Sequence, residues 1–177
     1  MHRGDFLHTI VISDCHNKSI GQKLFELISR FSSIAFVGER IIVPKSPEFL
    51  LIDASVVSKI EASDIILIMS GGRLPNVRYN QIHCAVSGGD DVRALSALQK
   101  VKLPLVTCGM SPRDTLSLSA RNEQSFSFSL QRELTTVFKK KIEPCELILK
   151  NTADFSLQTV AFFTAIMLLT GYDGEFS

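Results

Sequence analysis

The sequence predicts a three-layer α/β fold, with a mainly parallel sheet and a small antiparallel meander near the C-terminus. Three observations carry that expectation. Residues 65–69, Ile-Ile-Leu-Ile-Met, are apolar at every position, as befits a central strand covered on both faces by helices. Strand-like runs alternate with amphipathic helical runs up to about residue 109, the grammar of parallel βαβ units. From Leu116 the period changes to two: Leu116 and Leu118 alternate with Ser117 and Ser119, and Phe126, Phe128 and Leu130 with Ser127 and Ser129. Strict alternation marks antiparallel strands with one solvated face. The expected core is thus of the P-loop or Rossmann kind.

Residues 6–12 read as the first strand. In the next helix Ile20, Leu24, Leu27, Ile28 and Phe31 fall on one stripe. Residues 34–37 and 41–43 flank a Gly38-Glu39-Arg40 turn, and the two runs are expected to pair. Pro44 and Pro47 then break the pattern before a strand at 49–52, and a short helix is expected around 56–60. Further strands are expected at 65–69, 82–86 and 103–108. Between the last two, Asp90-Asp91 opens a helix with Val92, Leu95 and Leu98 inward; acidic residues in a first turn suit the helix dipole. A third meander strand is expected at 145–149. Residues 155–169 form an apolar closing helix that ends at Gly171, a suitable C′ glycine. The organisation expected is one domain over 1–177: a parallel core to residue 112, the meander over 113–152 and the closing helix over 153–171.

With 177 residues, 45% hydrophobic and 21% charged, the chain is of globular type and long enough for one well-buried core. A formal net charge of +1 gives no electrostatic basis for nucleic acid or an anionic membrane as partner. Cys15, Cys84, Cys108 and Cys145 show no short paired spacing, which fits buried thiols in a reducing cytoplasm better than a zinc site or a disulfide framework. The N-terminal residues lack the pattern of a signal peptide, and the apolar run 160–169 is too short to span a bilayer.

The chemistry-bearing candidates cluster at strand ends. Residues 10–19, Ile-Val-Ile-Ser-Asp-Cys-His-Asn-Lys-Ser, have the layout of a strand–loop–helix phosphate site. In such a site a loop lysine meets the phosphates and the next Ser or Thr holds magnesium. Yet no glycine lies between Ser13 and Ser19, so few backbone amides can close around an anion. The plain alternative makes Asn17 or Ser19 an ordinary N-cap and leaves Lys18 in solvent. Asp14, Cys15 and His16 could bind a metal or form a nucleophile–base pair, but residues adjacent in sequence rarely converge on one point. His83 and Cys84 read as packing residues. Ser70-Gly71-Gly72-Arg73 and Ser87-Gly88-Gly89-Asp90 both end parallel strands, and with the 14–19 loop they are candidates for a shared crevice. Lys139-Lys140-Lys141 reads as a solvated turn, and Phe126, Phe128, Phe162 and Phe163 as core.

This order of elements resembles the central ATP-binding domain of the Mur ligase family. The family's phosphate loop, roughly T-G-T-N-G-K-[ST], is matched by Ser13-Asp14-Cys15-His16-Asn17-Lys18-Ser19, which keeps Asn, Lys and Ser but neither glycine. The family's N-x-D-D element is similar to Val86-Ser87-Gly88-Gly89-Asp90-Asp91, and its V-x-T-x-G strand end to Val106-Thr107-Cys108-Gly109. The family's H-N-x-x-N-A-x-A-A helix is similar to the run from Asp154 to Phe162, where Asp154 and Phe155 stand for His and Asn. Only about a dozen residues, starting with Ser70-Gly71-Gly72, lie between the strand at 65–69 and the next strand, where the family carries a long segment with metal-site and substrate-site residues.

What the resemblance implies is the fold and not the ligase reaction: a non-catalytic module that binds a small ligand or a partner protein. The second expectation is a small enzyme handling a nucleotide or phosphorylated metabolite. In it Asn17, Lys18 and Ser19 would bind phosphate and Asp90 or Asp91 magnesium, with ATP and Mg²⁺ disfavoured by the glycine-free loop. A homo-oligomer, most simply a dimer, is expected on two grounds. One is the apolar excess, with a mean hydropathy of +0.20 and a closing helix that offers little polar surface. The other is a meander edge with no blocking proline.

Overall fold

The computed structural model describes residues 6–14, 19–152 and 154–172. Strands β1 (His8–Asp14), β2 (Ile34–Val37), β3 (Ile41–Ile42), β4 (Phe49–Asp53), β5 (Ile65–Ser70) and β6 (Ile82–Gly88) lie in one sheet with β7 (Leu105–Gly109), β8 (Leu116–Arg121), β9 (Ser125–Leu130) and β12 (Cys145–Lys150). The order across this ten-stranded sheet is β12-β9-β8-β7-β6-β5-β1-β4-β2-β3. Every pairing from β8 to β2 is parallel; β8, β9 and β12 form the antiparallel meander at one edge, and β2 and β3 an antiparallel pair at the other. Strands β10 (Leu134–Thr135) and β11 (Lys141–Ile142) make a separate two-stranded hairpin, with Lys139 left-handed at its turn. The basic run is thus the solvated turn expected of it.

Alternation along the central strands sorts their side chains into two cores. Ile10, Ile12, Ile66, Ile68, Val86 and Val106 face α1 (Ser19–Ser29) and α3 (Leu157–Leu169). Val11, Ile65, Leu67, Met69 and Ala85 face α2 (Val92–Val101) and the irregular segments around Ile60 and Val77. This makes the three layers expected, but the second helical layer is thin.

α3 is apolar all round, and every residue from Thr159 to Leu169 is buried. It packs against α1 and crosses the sheet from β5 to β9. Its polar groups are satisfied inside the chain. Ser156 caps the N-terminus by accepting from the Thr159 N–H at 3.2 Å, and the Thr164 hydroxyl donates back to the Val160 carbonyl at 2.7 Å. At the other end the Gly171 N–H reaches the Leu168 carbonyl and the Tyr172 N–H the Met167 carbonyl. This Schellman closure places Gly171 at φ 67°, a left-handed geometry that favours glycine. One of the two grounds for an oligomer therefore falls away: this helix is covered by its own chain.

Three local expectations are corrected. Residues 56–60 form no helix: the Asp53 carboxylate accepts the Ser55 N–H at 2.8 Å, turning the chain, and Ile60 pairs with Val77 in an isolated parallel bridge. Val92 does not point inward but is 75% exposed at the start of α2, whose buried face is Ala94, Ala97 and Leu98. The first strand also starts later than expected, leaving Phe6 and Leu7 exposed.

His8 packs at the start of β1 between the rings of Phe49 and Phe138, at 5.3 and 5.6 Å between centroids. Burial pushes its pKa below the ordinary 6.5, partly opposed by Glu48. Below pH 6.5 the unfolded chain therefore binds the proton more readily than the folded one, and stability falls as the pH drops from 6.5 toward the depressed value. Urea midpoints at pH 7.5 and 5.5 are expected to differ less in His8→Phe than in the parent protein. An unchanged difference would contradict this account.

Candidate functional site

The parallel strands deliver their carboxyl ends to one rim of the sheet, at Asp14, Asp53, Ser70, Gly88 and Gly109. After β1 the chain passes to the face that carries α1. After β4 it passes to the opposite face, where Ala54, Val57 and Ile60 join the core beneath α2. β1 and β4 are neighbours, so the chain diverges between their ends and opens a crevice. This is the topological switch point at which open α/β sheets bind ligands. A cavity of about 420 Å³ occupies it, walled by Ser13 and Asp14 at the end of β1, by Ala54, Ser55, Val57 and Ser58, and by residues 73–76 after β5.

The two loops that wall the cavity are joined. The Asn76 side-chain amide donates to the Ser58 carbonyl at 2.7 Å, and the Ile60 N–H to the Asn76 carbonyl at 3.1 Å. The Ser13 hydroxyl donates to the Arg73 carbonyl at 2.5 Å, which pins the base of the Arg73 side chain to β1. Among the described residues Arg73 makes no ion pair. The lining thus combines serine and asparagine groups, one carboxyl group and one exposed guanidinium with the apolar Val57, Leu74 and Pro75.

The sequence candidates are distributed unevenly over this rim. Asn17 and Lys18 lie outside the described residues, as do Cys15 and His16; Ser19 opens α1. Asp91 has both carboxylate oxygens engaged: Oδ1 accepts the Ala94 N–H at 2.9 Å as the N-cap of α2, and Oδ2 accepts the Gly71 N–H at 2.7 Å. It therefore ties the loop after β5 to the helix after β6, and Gly71 meets it at φ 82°. Asp90 is exposed beside Gly88. Of the crevice expected from three loops, Asp14 and Arg73 line the cavity, with Ser13 of β1 beside them. The 87–90 loop does not, and residues 54–58 take its place.

One buried carboxylate was not singled out in the sequence. Asp114 is 6% exposed, accepts the Ser111 N–H at 3.1 Å, and packs against Gly89 and Gly109 at the ends of β6 and β7. A Cβ at Gly89 would lie 1.8 Å from its Oδ1, and one at Gly109 would lie 2.4 Å from Oδ2. The two glycines are the signal in the sequence: the second residue of Gly88-Gly89 and the end of Val106-Thr107-Cys108-Gly109 each make room for this side chain.

The described thiols are not poised for nucleophilic chemistry. Burial raises Cys84 to about 12, and Cys108 is raised by burial and by the neighbouring Asp114. Cys145 is exposed on β12, and its pKa is also raised, by partial desolvation and by Glu146. His83 bonds through Nε2 to the Thr135 carbonyl at 2.9 Å, the packing role expected. Among the described residues no group of three or more His, Cys, Asp or Glu side chains could hold a metal ion. No helix among them is long and apolar enough to cross a membrane.

Comparison with solved structures matches this architecture to Mur ligases. The structure of UDP-N-acetylmuramoylalanyl-D-glutamyl-2,6-diaminopimelate–D-alanyl-D-alanyl ligase from Acinetobacter baumannii superposes with a TM-score of 0.58 at 11% identity, over 96% of this chain and 44% of that one. A crystal structure of MurF from the same organism gives 0.55 at 10% identity with the same coverage. The chain thus spans less than half the length of the ligases it matches, and at this identity the likeness is one of fold. No protein-family model matches the sequence, and no curated protein sequence does.

Proposed function

We propose that this chain is a non-catalytic binding module on a Mur-ligase fold, and that its ligand is a small polar anion seated in the cavity between β1 and β4. The observation that carries the reading is the cavity itself, at the switch point of the sheet, with the Arg73 guanidinium at its rim. Two further features support it. The loop of residues 14–19 has no glycine to bring backbone amides onto a phosphate. Asp91, the acidic residue nearest in pattern to the family's, uses both oxygens to hold Gly71 and Ala94 together. On this reading the elements that would serve a ligase hold loops in place instead.

Thermal melting tests it. ATP or ADP at millimolar concentration with Mg²⁺ is expected to leave Tm unmoved. A panel of small carboxylates and phosphate monoesters is expected to contain compounds that raise it, and Arg73→Ala to abolish that rise. A ligand at 100 times its Kd stabilises by about 2.7 kcal/mol, which is roughly 5–10 °C for a chain of this size. A nucleotide shift removed by Lys18→Ala would overturn the proposal. It would favour the enzyme reading, with Asn17, Lys18 and Ser19 on phosphate and Asp90 near the metal.

A further inference from the structure

We propose that two copies of this chain associate edge to edge through β12, antiparallel, about a two-fold axis normal to the sheet that passes beside Ile148. The inference is independent of the cavity and rests on the sheet's two edges. At one edge β3 is two residues long and Pro44 follows shortly after, the usual protection of an edge. At the other, β12 runs for six residues in unbroken register with β9, from Cys145 opposite Leu130 to Lys150 opposite Ser125, with no bulge and no proline inside it; Pro144 lies just ahead of its first residue. Among the described residues no strand pairs with its outer side.

The side chains of β12 select the partner. Leu147 and Leu149 turn toward the core shared with α3, while Glu146, Ile148 and Lys150 lie on the opposite face. Ile148, at its centre, is 58% exposed, a large apolar side chain between two charged ones. The Ser119 hydroxyl donates to the Glu146 carboxylate at 2.9 Å and holds it against the sheet. A two-fold axis normal to the sheet keeps every side chain on its own face, so residues opposite each other must share a face. Centring on residue 146 sets glutamate against glutamate, and centring on 150 sets lysine against lysine. Centring on 147 or 149 sets a charge against Ile148. Only centring on 148 places Glu146 opposite the partner's Lys150, Lys150 opposite the partner's Glu146 and Ile148 against its own copy. Leu147 then faces the partner's Leu149 on the other side. Opposite-charge and apolar cross-strand pairs are the units that stabilise antiparallel pairing. A strand complementary to itself under a two-fold axis fits a second copy of this chain.

Light scattering and sedimentation at 50 μM test it. The parent protein is expected at twice the 19.6 kDa of one chain. Glu146→Lys and Lys150→Glu, each of which sets like charges opposite one another twice, are expected to run as monomers with unchanged circular dichroism. The double exchange Glu146→Lys/Lys150→Glu, which restores both pairs, is expected to restore the dimer. Ile148→Cys under oxidation is expected to cross-link through the new thiol, since the axis brings that position against its copy. A monomeric parent protein overturns the proposal. So does a dimer that the single reversals leave intact, or one that the double exchange fails to restore.

Discussion

Phe162→Ala is expected to destabilise the protein by about 3–5 kcal/mol, the range for removing a fully buried aromatic ring. For a chain of this length that lowers Tm by roughly 6–20 °C. Residues 159–169 of α3 are all buried, so that the helix has no solvated side along which to relax. Phe162 and Phe163 are both 0% exposed, and the Phe163 ring lies 5.1 Å from that of Phe31 beyond α1. A cavity left at Phe162 is enclosed by helix and sheet, and the adjoining side chains cannot all move inward without leaving their own contacts. A urea titration followed by circular dichroism measures it. A midpoint within about 0.3 M of the parent's, at equal slope, would show that the helix is less tightly held than its burial implies.

Gly89→Ala is expected to cost about 2–4 kcal/mol, through a clash and not through backbone strain. The new Cβ would fall 1.8 Å from Asp114 Oδ1 and 2.6 Å from its Cγ. Asp114 cannot swing aside freely, because it is buried, bonded to the Ser111 N–H, and closed in by Gly109. Overpacking of this kind costs about 1–3 kcal/mol, and a buried carboxylate turned from its donor adds about as much again. The double-mutant cycle is the decisive measurement. With Asp114→Ala already in place the clash is gone, so adding Gly89→Ala is expected to cost little more than Asp114→Ala alone. Full additivity of the two changes would separate Gly89 from Asp114 and refute the packing account.

These two predictions mark where the sequence was readable and where it was not. The α3 core was legible because a run with almost no polar residue has to be buried on every side. The central strands were legible for the same reason, and the meander because Leu116–Leu118 and Phe126–Leu130 alternate so strictly with serine. Asp114 was not legible, since its burial depends on space left by two glycines that a reader assigns to turns. The turn at 54–58 was missed because Val56, Val57 and Ile60 carry a plausible helical spacing, whereas Ile60 is held by Val77, a partner known only once the fold is assembled. Val92 was misplaced because apolar type outweighed position. The inner face of α2 is made by Leu98 and two alanines, whose small side chains give a weak periodic signal. For the candidate site, the strand-end rim and two of the cavity-lining residues, Asp14 and Arg73, were readable from the pattern of strands, whereas Asp90 and Asp91 do not line the cavity. The loop after β4 entered only through topology, because nothing local says which face of the sheet it will take.

The position of β1 at the heart of the sheet has a consequence for how the chain is made. Ile10 pairs with Leu51 on one side and with Ile66 on the other, and no nearer segment lies beside it. Translation proceeds at about 5–20 residues per second, so roughly 3–11 s pass between the synthesis of Ile10 and that of Ile66. Until β4 is made, at residue 53, the apolar stretch 9–12 has neither of its final neighbours, and until β5 follows it has at most one. Contacts of such long sequence separation also form slowly once they are possible. A strand that ends flanked by parallel neighbours on both sides is thus one that waits unpaired while the protein is made.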